Sequence, residues 1–336
     1  MSSSSVCSEI STPQLPWKHR ITLRFAALLF NTSLRSDLTV NRWLLNLIDP
    51  KIPPNPSSIH AVSSSDLTID TSRHLFLRIF TPTDADADSL PLPLIFYFHG
   101  GGFAFGSADA TSMDMAARRF AKELRAVVIS VNYRLAPEFR FPCQYDDGFD
   151  ALKFIDEMDD GGLLGRADLS RCFILGESAG GNLGHHVAVR ASEYELKRVK
   201  VVGFIASQPF FGGEERTESE NRLCKQLPLT LSMTDWFWRA FLPGGEDRDH
   251  AAANVNGPNG RDISGLRNFP ATVIFGGGLD LLIDRQKCYY EGLKRMGKDV
   301  KLVVFSNAIH GFFGFADLPE YSLMIKEVRD FIAKLK

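Results

Sequence analysis

A chain of 336 residues with 44% hydrophobic and 23% charged residues has the make-up of a soluble globular protein able to bury a large core, not of a disordered tract. Its 38 Lys and Arg against 40 Asp and Glu leave a net charge of -2, which argues against a nucleic acid or an anionic membrane as partner. The five scattered cysteines, Cys7, Cys143, Cys172, Cys224 and Cys288, have neither metal-ligand spacing nor a disulfide framework, so a reducing, cytoplasmic setting is expected.

The first twelve residues are serine-rich and lack the basic region and apolar core of a secretory signal. Two helices are predicted next, Trp17–Asn31 and Leu38–Leu47, the first carrying Ile21, Phe25, Leu28 and Leu29 at helical spacing as a face that must cover something. The apolar run Ile21–Phe30 is broken by Arg24 and is far shorter than the roughly 20 residues that span a bilayer. Further on, the Asp84–Asp88 run reads as a solvated loop, and the apolar segment Leu92–Phe98 as a buried strand. That strand runs into His99-Gly100-Gly101-Gly102, and three consecutive glycines cost backbone entropy without adding packing, which points to a close approach by a ligand.

A second strand, Arg171–Leu175, and a helix, Asn182–Arg190, flank Gly176-Glu177-Ser178-Ala179-Gly180. Gly-X-Ser-X-Gly between a strand and a helix is the setting of a serine nucleophile, because a hydroxyl that reacts poorly at neutral pH must be lifted on a sharp turn to where a base can reach it. Ala179 would offer its backbone N–H to the oxyanion. In such proteins the acid and then the histidine follow the serine along the chain. His60, His74 and His99 precede it, His185 and His186 lie on the adjoining helix, and His250 sits in the charged stretch Gly244–His250. His310 remains as the base, on a loop directly after the strand Val300–Phe305. Two carboxylates follow the strand Ala271–Phe275: Asp280, nearest the strand end, is the expected acid, and Asp284 is placed to start the next helix.

Five motifs, His99-Gly-Gly-Gly-Phe103, Asn132-Tyr-Arg-Leu-Ala-Pro-Glu138, Gly176-Glu-Ser-Ala-Gly-Gly-Asn182, Gly278-Leu-Asp280 and Asn307-Ala-Ile-His310-Gly-Phe312, occur in this order. From about Leu38 to the C-terminus the chain resembles the plant carboxylesterases of the hormone-sensitive-lipase group of α/β-hydrolases. The resemblance implies an α/β fold with a mostly parallel twisted sheet, helices on both faces and a helical cap. It implies Ser178 as nucleophile, His310 as base, Asp280 as orienting acid, and the N–H groups of Gly101, Gly102 and Ala179 as oxyanion hole. The Asn132–Glu138 motif is expected to build a loop beneath the site, with Arg134 and Glu138 in a partly buried charge network.

The alternation of apolar runs and helices continues without a break, so one domain with a cap is expected: N-terminal cap helices over residues 1–50, and a hydrolase core over 51–336 with a cap insertion around 213–244. Aromatic residues beside the catalytic loops, Phe103, Phe105, Phe210, Phe211, Trp238 and Phe312, are candidates for the substrate pocket. The expected activity is hydrolysis of small neutral esters without metal or other cofactor. The same group contains 2-hydroxyisoflavanone dehydratases and the gibberellin receptor, so a lyase and a non-catalytic hormone receptor are the alternatives. In the receptor an aliphatic residue replaces the catalytic histidine, whereas His310 is retained here.

Overall fold

The computed structural model describes residues 15–83, 91–158, 162 and 164–335. The serine-rich start, Cys7 and the Asp84–Asp88 run lie outside them. Eight strands form one sheet in the order β1-β2-β4-β3-β5-β6-β7-β8. They are β1 (Val62–Asp70), β2 (Leu75–Pro82), β3 (Leu92–Phe98), β4 (Val127–Val131), β5 (Ala167–Glu177), β6 (Val201–Ser207), β7 (Ala271–Leu279) and β8 (Val300–Ile309). β2 pairs antiparallel with β1 and β4, and all other pairs are parallel.

A parallel sheet is stable only when both faces are covered, and alternation along β3 shows how this is done. Leu94, Phe96 and Phe98 enter one core, while Ile95 and Tyr97 enter another on the opposite face. The first core includes Leu183, Val187 and Ala188 of α5 (Ala179–Glu193) and Tyr289 and Leu293 of α8 (Ile283–Arg295). The second is closed by Ala117, Phe120 and Ala121 of α3 (Thr111–Leu124) and by Tyr321, Met324, Ile325 and Val328 of α9 (Pro319–Lys334). Two contiguous cores on one sheet explain why a chain of this length forms a single α/β layer structure.

The N-terminal segment folds into α1 (Trp17–Ser33) and α2 (Arg42–Ile48), close to the predicted helices, but α1 is turned differently on its axis. Ile21, Phe25 and Leu28 are exposed, at 58%, 60% and 60%, and the buried stripe is His19, Leu23 and Ala27. Both stripes have the same i, i+4 spacing, and only the tertiary contacts choose between them. His19 faces inward because Asp317 and the Phe315 ring, 4.6 Å away, receive it.

Between β6 and β7 lie α6 (Glu218–Arg222) and α7 (Leu231–Phe241). α6 starts on a capping box in which Thr217 and Glu220 satisfy each other's backbone N–H groups. The indole N–H of Trp236 on α7 donates to Arg35 O at 2.8 Å, joining this insertion to the N-terminal segment. Arg42 of α2 reaches inward: it grips both Glu138 oxygens at 3.0 and 2.6 Å and donates to the carbonyl oxygens of Ala104 and Ala136. Among the described cysteines, Cys143, Cys172 and Cys288 are free. Among the described residues no helix is long and apolar enough to cross a membrane.

Candidate active site

β5 ends at Glu177 and α5 begins at Ala179, so Ser178 alone makes the turn, with φ +52° and ψ -115°. This backbone conformation is unfavourable for any residue with a side chain, costing about 1–3 kcal/mol, and it persists because the packed strand and helix impose it. The helix lies so close to β3 that a Cβ on Gly180 would run into the carbonyl oxygens of Phe98 and His99. Only glycine permits this approach.

The serine, a histidine and a carboxylate from three separate strands meet at the carboxyl edge of the sheet. His310, just past β8, has its Nε2 3.0 Å from Ser178 Oγ and its Nδ1 2.8 Å from Asp280 Oδ2. Asp280, just past β7, is fully buried. Its Oδ1 accepts the Leu282 N–H at 2.9 Å, and its Oδ2 accepts two further amide donors, Gln208 Nε2 at 3.0 Å and Gln286 Nε2 at 2.9 Å. Such donors compensate a buried carboxylate for the water it has lost. Asp284 is used elsewhere, accepting the Ser219 N–H at 2.8 Å from the insertion. Two other histidines are also committed: His99 stacks on Tyr133 at 4.3 Å and His185 bonds the Tyr289 hydroxyl at 2.8 Å.

After β3 the chain turns through Gly101 (φ +108°), Gly102 (φ +59°) and Phe103 (φ +61°). A Cβ on Gly102 would stand about 2.5 Å from the Phe237 ring of α7, so the insertion presses directly on this loop. Among the described residues, the backbone N–H groups of Gly101, Gly102 and Ala179 donate to no backbone acceptor. Gly101 and Gly102 line the same space as Ser178, and Ala179 follows the serine directly in the chain.

That space is a cavity of about 840 Å³. Ser178, His310 and the glycine loop form its floor, and α1 with Leu23, Ala26, Leu29 and Phe30 lies across it. Of the six aromatics expected to line a pocket, Phe105 and Phe210 do. The other four are corrected: Phe103, Phe211, Trp238 and Phe312 are at most 3% exposed and fill the cores. Phe103 stacks on Phe241 at 3.9 Å, Trp238 on Phe210 at 4.2 Å, Phe211 lies on Tyr289 at 4.4 Å, and Phe312 meets Phe305 edge-on. Of the neighbouring pairs Phe210–Phe211 and Phe312–Phe313, Phe210 and Phe313 line the cavity. Phe237, Phe313, Phe315, Leu229 and Met233 complete the apolar wall. Phe237 lies one residue from the position chosen in the sequence, and the helical period of α7 was the signal that could have found it.

Glu177, next to the serine, is also buried, and burial pushes its carboxyl up to about 8 although the Tyr97 hydroxyl donates to it at 2.6 Å. Its Oε1 has no partner, which favours the neutral acid. Folded protein therefore holds one proton more than unfolded chain between the ordinary glutamate range and about pH 8. Stability from this group is greatest at low pH, falls as pH rises through that window, and levels off above about 8. Glu177→Gln should flatten this descent. The check is the difference in Tm between variant and wild type across pH 5 to 9, in which the buried histidines cancel; a constant difference would place the proton elsewhere.

Asn132, Tyr133, Arg134 and Leu135 of the Asn132–Glu138 loop line the cavity themselves. Arg134 clamps the buried Asp147 carboxylate with two bonds of 2.8 Å, and Glu138 receives Arg42. Both charges are thus spent on holding the loop and on tying α2 to it.

A family model described as alpha/beta hydrolase fold matches residues 95–314, the stretch from β3 through the histidine loop. The chain belongs to the α/β-hydrolase family. Within that family it is 41% identical to a gibberellin receptor of Arabidopsis thaliana over 91% of this chain and 90% of the relative. It is also 36% identical to carboxylesterase 20 of the same plant, over 82% of this chain and 86% of the relative. Among solved structures, a hyperthermophilic esterase from the archaeon Pyrobaculum calidifontis superposes with a TM-score of 0.73 at 26% identity, covering 96% of this chain and 98% of that one. The chain is an esterase-like α/β-hydrolase of the group that holds plant carboxylesterases and gibberellin receptors.

Proposed function

We propose that the protein is a carboxylic ester hydrolase acting on small neutral esters with short acyl or aromatic groups. The observation that carries this is the Ser178 hydroxyl standing 3.0 Å from His310 Nε2 while Nδ1 of the same ring bonds buried Asp280 at 2.8 Å. The Nδ1–H donated to Asp280 leaves Nε2 as the acceptor, so the ring presents a lone pair to the serine proton. Ser178 Oγ then attacks the ester carbonyl carbon as His310 takes its proton. The alkoxide oxygen is held by the N–H groups of Gly101, Gly102 and Ala179, and His310 returns the proton to the departing alcohol. Water, activated by the same imidazole, releases the acid and restores the serine. Asp280 stabilises the imidazolium without taking its proton.

The N-terminal helices and the 213–244 insertion act as the cap in this reading, since residues of α1, α2 and α7 wall the cavity above the serine. A mostly apolar cavity of about 840 Å³ suits a compact neutral ester better than an extended lipid chain. Purified protein should hydrolyse soluble p-nitrophenyl acetate or butyrate and prefer them to emulsified long-chain triglyceride. Preference for the emulsion would overturn the substrate class.

One observation favours a second reading, that of a gibberellin receptor: the 41% identity to such a receptor covers 91% of this chain. Saturable gibberellin binding by a protein that hydrolyses no activated ester would establish it. The intact Ser178–His310–Asp280 chain of hydrogen bonds is why hydrolysis is placed first.

A further inference from the structure

The turn that follows β6 touches every member of the serine–histidine–aspartate set. Ser207 O accepts the Ser178 N–H at 2.9 Å, and the Phe210 N–H donates back to Ser178 O at 2.9 Å, so the turn grips the nucleophile's backbone from both sides. Between them stands Gln208, fully buried and with φ +46°, its own N–H donating to Phe275 O on β7 at 2.8 Å. Its side-chain amide makes three hydrogen bonds. Nε2 donates to Asp280 Oδ2 at 3.0 Å and to Ile309 O at 3.0 Å, while Oε1 accepts the Gly311 N–H at 2.8 Å.

These partners fix the amide in one orientation: two acceptors face its NH₂ and one donor faces its oxygen, so a flip would break all three bonds. Ile309 and Gly311 are the immediate neighbours of His310. One side chain therefore brackets the histidine along the chain and holds the carboxylate that the histidine bonds. A positive φ strains any residue with a side chain, and backbone strain of that kind is retained where the surroundings over-determine it.

We propose that Gln208 is a positioning residue for the hydrolysis described above, setting the distance and angle of the His310 imidazole between Asp280 and Ser178. The inference rests on the ester-hydrolase reading. Displacing a base by about 1 Å costs on the order of 10²-fold in rate, which sets the expected effect. Removing the donor also concentrates negative charge on Asp280 Oδ2. The imidazolium is then stabilised and the basic form needed for attack is lost at higher pH, so the acid limb of the pH–rate profile moves up.

The experiment compares wild type, Gln208→Ala and the near-isosteric Gln208→Glu on p-nitrophenyl butyrate, with active sites counted by fluorophosphonate titration and folding followed by circular dichroism. In both variants kcat per titrated site should fall by about 10²-fold, KM should stay within about twofold, and the acid limb should shift to higher pH. The downfield Nδ1–H proton resonance of His310 should shift or broaden. Gln208→Glu keeps the volume and an acceptor for Gly311, but a carboxyl group offers at most one O–H where the amide gives two N–H bonds, to Asp280 and to Ile309 O, so its defect cannot be a cavity effect. Variants whose kcat per titrated site and pH profile match wild type would overturn the positioning role while leaving the hydrolase reading intact, even if their Tm were lower. A wild type that neither hydrolyses esters nor reacts with the fluorophosphonate would overturn both.

Discussion

Ser178→Ala is expected to lower kcat for soluble esters by about 10⁴- to 10⁶-fold and to abolish fluorophosphonate labelling, with circular dichroism and Tm staying near wild type. The size of the effect follows from the geometry. Covalent attack needs an oxygen at the one position from which His310 Nε2, 3.0 Å away, can remove its proton. The fold should survive because, among the described residues, the hydroxyl's only side-chain partner is that imidazole, and the turn is held by backbone bonds from Ser207 and Phe210 that alanine keeps. Ligand binding in the cavity should survive as well, since the methyl group leaves the apolar walls in place. Turnover within tenfold of wild type would remove Ser178 from the chemistry.

Asp280→Asn ranks next, with an expected loss of about 10⁴-fold in kcat. Both carboxylate oxygens accept hydrogen bonds, Oδ1 from Leu282 N–H and Oδ2 from Gln208, Gln286 and His310. An amide has only one acceptor atom, so every orientation leaves its NH₂ facing a donor. With the NH₂ toward His310, Nδ1 becomes the acceptor and Nε2 carries the proton. The ring then offers Ser178 a hydrogen where a lone pair is required. Nitrogen chemical shifts of His310 should report this tautomer, and the protein should also lose stability because the opposed donors are buried. Retention of more than a tenth of wild-type kcat would mean that Asp280 does not orient the base.

The strands Leu92–Phe98, Arg171–Leu175, Ala271–Phe275 and Val300–Phe305, the glycine loop after the first of them and the three strand ends bearing Ser178, Asp280 and His310 were legible because each rests on a local pattern: an apolar run, then glycine or a polar residue where the run stops. Chain order excluded the histidines before Ser178, and placement on the adjoining helix or in a charged stretch excluded His185, His186 and His250, leaving His310. Aromatic residues carry no such local mark. Phe210 and Phe211, or Phe312 and Phe313, are equivalent as letters, and which of each pair enters the cavity depends on where neighbouring elements leave room. The face of α1 was misjudged for the same reason. Ile21, Phe25 and Leu28 have correct helical spacing, yet Leu23 and Ala27 are the residues that meet the body of the protein.

What the amino-acid order determined by itself is the set of reactive groups and the edge of the sheet on which they stand, since alternation and turn chemistry act over a few residues. The tertiary structure alone decided the cavity, its roof and the part of Gln208. Those depend on contacts between segments far apart along the chain, such as Gln208 with Ile309 or Gly102 with Phe237, which no local periodicity encodes.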